Sequence, residues 1–132
     1  MKHRVPVEEF TSPGPYSVTP ETPYQEILKL MDDGEVRHIP VLDGKEPVGM
    51  ISDRDLKLVR FLENGTKIVA KDLMSGSPFL VSNESPLDEV ALEMSRRKIG
   101  SAIVMDASGN VSGIFTATDA LNALVEVLRG EV

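Results

Sequence analysis

Two short segments of the chain combine a hydroxyl side chain with a carboxylate three residues later. They are Ser52-Asp53-Arg54-Asp55 and Thr116-Ala117-Thr118-Asp119, and an apolar stretch precedes each of them. At the start of a helix a hydroxyl can accept an unpaired backbone N–H, and an acid in the first turn interacts favourably with the helix dipole. The spacing therefore predicts that a strand ends and a helix begins at each segment.

The same residue types suit a site for a phosphorylated sugar. A helix N-terminus presents N–H groups and positive charge to a phosphate, and the motif hydroxyl adds one more donor. A carboxylate one turn later, Asp55 or Asp119, can accept both hydroxyls of a cis-diol such as ribose. Arg54 and Thr118 lie between hydroxyl and carboxylate, where either can contact a phosphate. Helix capping and ligand binding are thus two open interpretations of the same residues.

Other kinds of chemistry find little support in the sequence. Cysteine is absent, which removes disulfides, thiolate catalysis and cysteine–zinc sites and fits a reducing compartment such as the cytoplasm. The two histidines, His3 and His38, have no recognised metal-site spacing, and no P-loop, dinucleotide-binding glycine motif or nucleophile elbow is present. A formal net charge of −7 argues against a nonspecific nucleic-acid or anionic-membrane surface. We therefore expect neither an enzyme nor a metal site.

The chain contains an internal duplication. When the sequence is shifted by 63 residues, and by 64 after one inserted residue near Asp106, matching residues recur in order over nearly the whole length. The matches include the lead-ins 9–12 and 72–75, the segments 15–18 and 78–81, and the pairs Gly49 with Gly113 and Asp55 with Asp119. We place the repeats at 7–64 and 65–130, divided at Asn64-Gly65-Thr66. Each half is small for independent folding, so we expect the two halves to share one core.

Each repeat is predicted to have the element order β-α-β-β-α, which gives an α+β fold class with α/β-like character. Thr22-Pro23-Tyr24-Gln25 and Ser85-Pro86-Leu87-Asp88 are typical of helix starts with a hydroxyl N-cap. Apolar periodicity and glycine-containing turns indicate strands at 38–42, 48–52, 101–105 and 111–116, and closing helices at 53–63 and 117–129.

With this order of elements, the sequence resembles a tandem pair of CBS (cystathionine β-synthase) domains over about residues 7–129. Asp72-Leu73-Met74-Ser75 is similar to the lead-in of a CBS motif, and the segment 38–43 is similar to its central strand. The resemblance implies two repeats packed with pseudo-twofold symmetry into one CBS pair, in a stand-alone protein of bacterial or archaeal type. It also implies clefts for adenosine-containing ligands (AMP, ADP, ATP or S-adenosylmethionine) and no other cofactor.

The resemblance implies roles for individual motif residues. The aspartates of both motifs, Asp55 and Asp119, match the family's ribose-binding carboxylate. The hydroxyls of Ser52 and Thr116 match the residue that begins the motif. At the position where some members place a phosphate-contacting hydroxyl, the second repeat has threonine and the first has arginine; these residues are Thr118 and Arg54.

A basic pair lies at the start of the strand predicted at 38–42. Arg37 and His38 lie where members such as the γ subunit of the AMP-activated protein kinase carry a basic pair facing phosphates. Ile39 and Pro40 continue this strand and belong to the predicted nucleotide site. The second repeat has Gly100-Ser101 at the position of the basic pair. We therefore expect two unequal clefts, of which the one near Arg37 prefers more phosphate.

Two functional hypotheses remain. The first is a regulatory module that binds an adenosine ligand and controls a partner such as an enzyme or a transporter. The alternative is a structural dimerisation or interaction module with empty clefts, in which Ser52 and Thr116 act only as caps. In both cases surplus apolar residues on the closing helices predict a homodimer, and neither nucleic acid nor membrane is an expected partner. Together these helices carry more apolar residues than one core-facing stripe uses: Leu56, Leu58, Val59, Phe61 and Leu62 on the first and Ala120, Leu121, Ala123, Leu124, Val125, Val127 and Leu128 on the second.

Overall fold

The structure is a computed structural model that describes residues 4–13, 16–59 and 67–131. The chain divides into two units, one of which is continuous and comprises Gly14–Pro78. The other combines Met1–Pro13 with Phe79–Val132. The division therefore separates the N-terminal segment from the repeat that follows it in the sequence.

The continuous unit is built around a three-stranded antiparallel sheet. Its elements in chain order are α1 (Tyr24–Gly34), β1 (His38–Asp43), β2 (Glu46–Ser52), α2 (Asp53–Val59), α3 (Ala70–Leu73) and β3 (Ser75–Gly76). The strand order is β1-β2-β3. Gly44 in the β1–β2 turn has a φ of 65°, a left-handed conformation that glycine adopts without a Cβ clash. The strand expected before α1 is reduced here to one parallel bridge, between Val18 and Val41.

The core of this unit lies between α1 and the sheet. Ile27 and Met31 are four residues apart on α1, so both side chains lie on one face of the helix. They pack with Ile39 of β1 and Ile51 of β2, which are fully buried cross-strand neighbours. Leu56 of α2 completes this side of the core. The apolar spacing along α1 thus places one face of the helix against the sheet.

The discontinuous unit repeats this plan with a mixed sheet. A 3-10 helix (Val7–Phe10) is followed by β4 (Leu80–Ser82), α4 (Leu87–Arg97), β5 (Ser101–Met105), β6 (Val111–Thr116) and α5 (Ala117–Leu128). Strand β4 is parallel to β5, and β5 is antiparallel to β6. Val90 and Met94 of α4 pack with Val104 and Phe115 of the sheet.

Each core contains residues from both sequence repeats. Val7 is fully buried in the core of the discontinuous unit, and its N–H donates to the Ser85 carbonyl at 2.7 Å. Its counterpart in the duplication, Ala70, is fully buried in the continuous unit and donates to the Thr22 carbonyl at 2.9 Å. We expected a single shared core. Instead, each unit has its own core, and each core includes a residue from the beginning of the other repeat.

The predicted hydroxyl caps of α1 and α4 were wrong. Pro23 and Pro86 occupy the N-cap positions, and neither helix start has a side-chain cap. The hydroxyl of Thr22 instead accepts the Thr19 N–H at 3.0 Å, which stabilises the preceding turn. Tertiary hydrogen bonds fix these helix starts, since the N–H of Tyr24 donates to the Ile68 carbonyl at 3.0 Å.

Part of the sequence prediction lies outside the described residues. This applies to the boundary Asn64-Gly65-Thr66 and to the end of the closing helix predicted at 53–63. The repeat limits 7–64 and 65–130 therefore remain predictions. Among the helices of the described ranges, none combines the length and the apolar character needed to cross a membrane.

Candidate functional sites

The second motif forms a reciprocal hydrogen-bonded cap where β6 meets α5. The hydroxyl of Thr116 accepts the Asp119 N–H at 3.2 Å and donates to Oδ2 of Asp119 at 3.0 Å. The same carboxylate oxygen accepts the Thr116 N–H at 2.8 Å. Because Thr116 has an extended backbone and precedes the first helical residue, it is the N-cap of α5. The capping interpretation of this motif is confirmed.

A third donor reaches Asp119 from the N-terminal segment. The hydroxyl of Ser12 donates to Oδ1 of Asp119 at 3.1 Å. Ser12 is fixed by two backbone hydrogen bonds with Ile114, one in each direction and both 3.0 Å long. Asp119 is only 9% exposed. Both oxygens of this buried carboxylate therefore have partners within the unit, as a buried charge requires.

The first motif has the same cap with a more open carboxylate. Asp55 accepts the Ser52 N–H at 2.8 Å and the Ser52 hydroxyl at 3.0 Å, both on Oδ2. The Asp55 N–H in turn donates to the Ser52 hydroxyl at 3.4 Å. Within the described part of the chain nothing donates to Oδ1 of Asp55, and the residue is half-buried. Among the described residues, Asp55 thus differs from Asp119, whose two carboxylate oxygens both accept hydrogen bonds.

The lead-in serines account for the difference between the two carboxylates. Ser75 is the counterpart of Ser12 and pairs with Met50 as Ser12 pairs with Ile114. Despite this equivalent register, the described residues include no hydrogen bond from Ser75 to Asp55. The two copies therefore share backbone geometry and differ in one side-chain contact.

The predicted basic pair lies beside the first motif. The Arg37 carbonyl accepts the N–H of Asp53, the first residue of α2, at 2.9 Å. His38 at the start of β1 is the cross-strand partner of Ser52 at the end of β2. Arg37 is exposed, as is Arg54 in the first turn of α2, and neither has an ion pair among the described residues. The fold thus brings two guanidinium-bearing residues to the same end of the sheet as Asp55.

The corresponding end of the other unit has no such charge. Here the Gly100 carbonyl accepts the Ala117 N–H at 3.0 Å, and Ser101 is the cross-strand partner of Thr116. Thr118 is exposed in the first turn of α5. The backbone arrangement is the same in both units, so the difference between the two sites lies in their side chains.

Two members of the predicted site have buried side chains. Ile39 is 0% exposed and belongs to the core of the continuous unit. Pro40 is fully buried as well, and its carbonyl accepts the Val18 N–H at 3.1 Å. These residues fix the position of the strand that carries Arg37 and His38.

Two N–H groups at the start of each motif helix already have acceptors within the unit. The N–H groups of Asp53 and Asp55 already donate to acceptors within the unit, as do those of Ala117 and Asp119. Beside the first motif, the exposed guanidinium groups of Arg37 and Arg54 offer several further donors each. In the ranges that the structure covers, no cluster of three or more His, Cys, Asp or Glu residues is placed to hold a metal ion.

Ser12 is a residue that sequence reasoning missed. The duplication aligned 9–12 with 72–75, which marked the segment as a repeated element. It did not show that this segment pairs with the strand leading into the other repeat's motif. The signal that could have found it was Gly113, because a Cβ there would collide with the Ser12 carbonyl oxygen. A strand glycine of this kind indicates the close approach of another backbone.

Comparison with known families identifies the duplicated unit. A family model described as the CBS domain matches residues 7–60 and 70–126, which together make up most of the chain. The chain belongs to the CBS domain family. Each match contains one hydroxyl–carboxylate motif, so the predicted resemblance and the α+β fold class are confirmed.

Curated relatives include chains that are much longer than this one. The inosine-5'-monophosphate dehydrogenase of Korarchaeum cryptofilum is 35% identical over 112 residues, which is 85% of this chain and 23% of the relative. The chain thus spans about a quarter of that relative's length. The similarity concerns the CBS pair and does not extend over the whole dehydrogenase.

Two solved CBS structures are similar over nearly the whole chain. CBSX2 of Arabidopsis thaliana in complex with AMP is 28% identical, with a TM-score of 0.78, and the match covers 94% of this chain and 98% of that one. The CBS domain of a bacterial CNNM/CorC family Mg²⁺ transporter in complex with ATP is 25% identical, with a TM-score of 0.79. This match covers 97% of this chain and 89% of the other.

Proposed function

We propose that this chain is a regulatory module that binds adenosine-containing ligands at its two CBS motifs and thereby controls a partner. The observation that carries the proposal is Oδ1 of Asp55, a carboxylate oxygen without a donor from the described residues, on a side chain that the Ser52 cap holds in place. Such a group accepts the two hydroxyls of a ribose without rearranging. No catalytic step is part of this function.

The ligands named for two similar CBS structures support adenosine as the common element. CBSX2 was solved with AMP and the transporter CBS domain with ATP, so their ligands differ in the number of phosphates. AMP, ADP and ATP are therefore the first candidates for this chain, and S-adenosylmethionine offers the same adenosine without phosphate.

The charge around the two motifs supports unequal preferences. Arg37 and Arg54 flank Asp55 without ion pairs among the described residues, whereas the second motif is flanked by Gly100 and Thr118. Charge-assisted hydrogen bonds to phosphate are about twice as strong as neutral ones. We therefore assign the more phosphorylated ligand to the Asp55 site. His38 and the buried strand residues Ile39 and Pro40 complete that site.

The alternative function, a structural dimerisation or interaction module with empty sites, is favoured by a specific observation. Both motifs form complete caps without any ligand, since Ser52 with Asp55 and Thr116 with Asp119 satisfy one another. In that case the motifs serve only to start α2 and α5.

A thermal-shift series distinguishes the two functions. The full chain is melted with adenosine, AMP, ADP, ATP and S-adenosylmethionine at millimolar concentration, with GMP as a control for the base. A ligand at about 100 times its dissociation constant stabilises the folded state by about 2.7 kcal/mol, so binding raises Tm clearly. A melt that no adenosine ligand changes would leave only the structural module.

We also propose that the chain forms a twofold homodimer through α5. Leu121, Leu124, Val125 and Leu128 recur at helical spacing and are 43–77% exposed, so α5 has an apolar face in addition to the one that faces the core. On α2, Leu58 is exposed, whereas Leu56 and Val59 are buried in the unit, and Phe61 and Leu62 lie outside the described residues.

The regulated partner is an enzyme or a transporter in the cytoplasm, where free adenine nucleotides are abundant.

A further inference from the structure

We infer that Ser12 is a specificity-determining residue of the Asp119 site, where it lowers the preference for ribose over deoxyribose. The inference rests on the proposed function, because it concerns the sugar that each site accepts. It derives from the number of acceptor positions left on the two motif carboxylates.

An ionised carboxylate has about four acceptor positions, two on each oxygen. Asp55 uses two of them, both on Oδ2, for the N–H and the hydroxyl of Ser52. No described residue donates to Oδ1, and we assign both of its positions to a ligand. A cis-diol has two O–H donors, so the Asp55 site can pair both ribose hydroxyls without losing a bond.

Asp119 has one free acceptor position fewer than Asp55 among the described residues. Two donors from Thr116 occupy Oδ2, and the Ser12 hydroxyl occupies one position on Oδ1. A ligand can donate one hydroxyl to the remaining position, and a second hydroxyl must displace Ser12. A 2'-deoxynucleotide needs only the single free position, so it loses little at this site.

The Ser12 contact is held in place by the backbone around it. Two reciprocal backbone hydrogen bonds hold Ser12 beside Ile114 of β6, which lies two residues before Thr116. Gly113 has no Cβ, and this allows the Ser12 carbonyl to approach the strand. Ser75 has the same register on β2 without the contact, which provides an internal control.

The test compares AMP with 2'-deoxy-AMP by calorimetry. Asp55→Ala leaves the Asp119 site alone, and Asp119→Ala leaves the Asp55 site alone. We expect the ratio of the AMP affinity to the 2'-deoxy-AMP affinity to be about tenfold larger at the Asp55 site than at the Asp119 site. The reason is that the second ribose hydroxyl forms one more hydrogen bond to a charged acceptor at the Asp55 site. Adding Ser12→Ala to Asp55→Ala should raise the ratio to that of the other site. Ser75→Ala added to Asp119→Ala should leave the ratio unchanged.

Ser12→Ala in the otherwise unchanged chain provides a second measurement, should a cap variant fail to fold. Its ribose preference should increase, and that of Ser75→Ala should not. An unchanged or smaller ratio in Ser12→Ala, with binding retained, would overturn the inference and leave the proposed function intact. If neither nucleotide binds the unaltered chain, the proposed function itself is overturned, and this inference with it.

Discussion

The N–H of Val7 donates to the carbonyl oxygen of Ser85 at 2.7 Å, although one residue begins the first repeat and the other lies well inside the second. The Val7 side chain is 0% exposed and packs in one core with Val90 and Phe115. The N-terminal segment is therefore part of the discontinuous unit, and it contributes both core packing and, through Ser12, a side chain at the second motif.

Val7→Ala should destabilise the chain by about 2 kcal/mol, because two buried methyl groups are lost and a cavity remains. Leu92→Ala is the control, since Leu92 on α4 is 51% exposed and lies outside the proposed dimer helix, so its replacement should change stability by less than about 0.5 kcal/mol. Urea unfolding followed by circular dichroism measures both. Equal effects of the two substitutions would contradict the burial of the N-terminal segment.

Asp119→Ala should lower the free energy of unfolding by about 2 kcal/mol and Asp55→Ala by about 1 kcal/mol. The difference arises because Asp119 is buried and leaves three donors unpaired, whereas Asp55 is half-buried and leaves two. Chemical denaturation without ligand tests this order.

The same two variants separate capping from ribose binding. If the aspartates bind ribose, each substitution should weaken AMP at its own site by about 30-fold or more, which corresponds to about 2 kcal/mol or more. Calorimetric titration measures the change. A variant that is less stable yet binds AMP as tightly as the parent would show that its aspartate is only a cap.

Arg37→Ala should weaken ATP and ADP by about tenfold and adenosine hardly at all, because a guanidinium forms charge-assisted hydrogen bonds with phosphates. Lys29→Ala removes the same charge from an exposed position on α1 and serves as the control. Affinities for the three ligands, measured for both variants, give the comparison. Equal losses for all three ligands would mean that Arg37 does not contact the phosphates.

Leu124→Glu should convert the proposed dimer to a monomer, since a charge on the apolar face of α5 is strongly unfavourable in a buried interface. Leu92→Glu on α4 is the matched control, because Leu92 is 51% exposed and Leu124 is 52% exposed. Light scattering at tens of micromolar should give twice the mass of one chain for the parent and for Leu92→Glu. A parent protein with the mass of a single chain would exclude the dimer.

Gly113→Ala should destabilise the chain more than Gly49→Ala. The added Cβ of the first would meet the backbone carbonyl of Ser12, which the Ile114 hydrogen bonds hold in place. The added Cβ of the second would meet the Sδ, Cγ and Cβ atoms of Met74, a side chain that adjusts more easily than a hydrogen-bonded backbone carbonyl. Melting temperatures of the two variants check this order, and a reversed order would contradict the close approach of Ser12.

Local patterns in the sequence determined the elements and the two motifs. The reciprocal bonds of Thr116 with Asp119 connect residues three apart, so their geometry follows from the start of a helix alone. The strands at 101–105 and 111–116 lie where the apolar pattern and the glycine-containing turn between them predicted. The duplication made the second copy of each element predictable from the first.

Contacts between distant segments were decided only by the tertiary structure. Ser12 and Asp119 are 107 positions apart, and no periodicity in either segment connects them. The apolar residues of α2 illustrate the same limit, because Leu56 and Leu58 are alike in the sequence while one is buried and the other is 68% exposed. Helical spacing shows which side chains share a face, and only packing determines which face meets the core. The two motifs are thus equivalent as local structures, and they differ because the lead-in serine reaches the aspartate in one unit and not in the other.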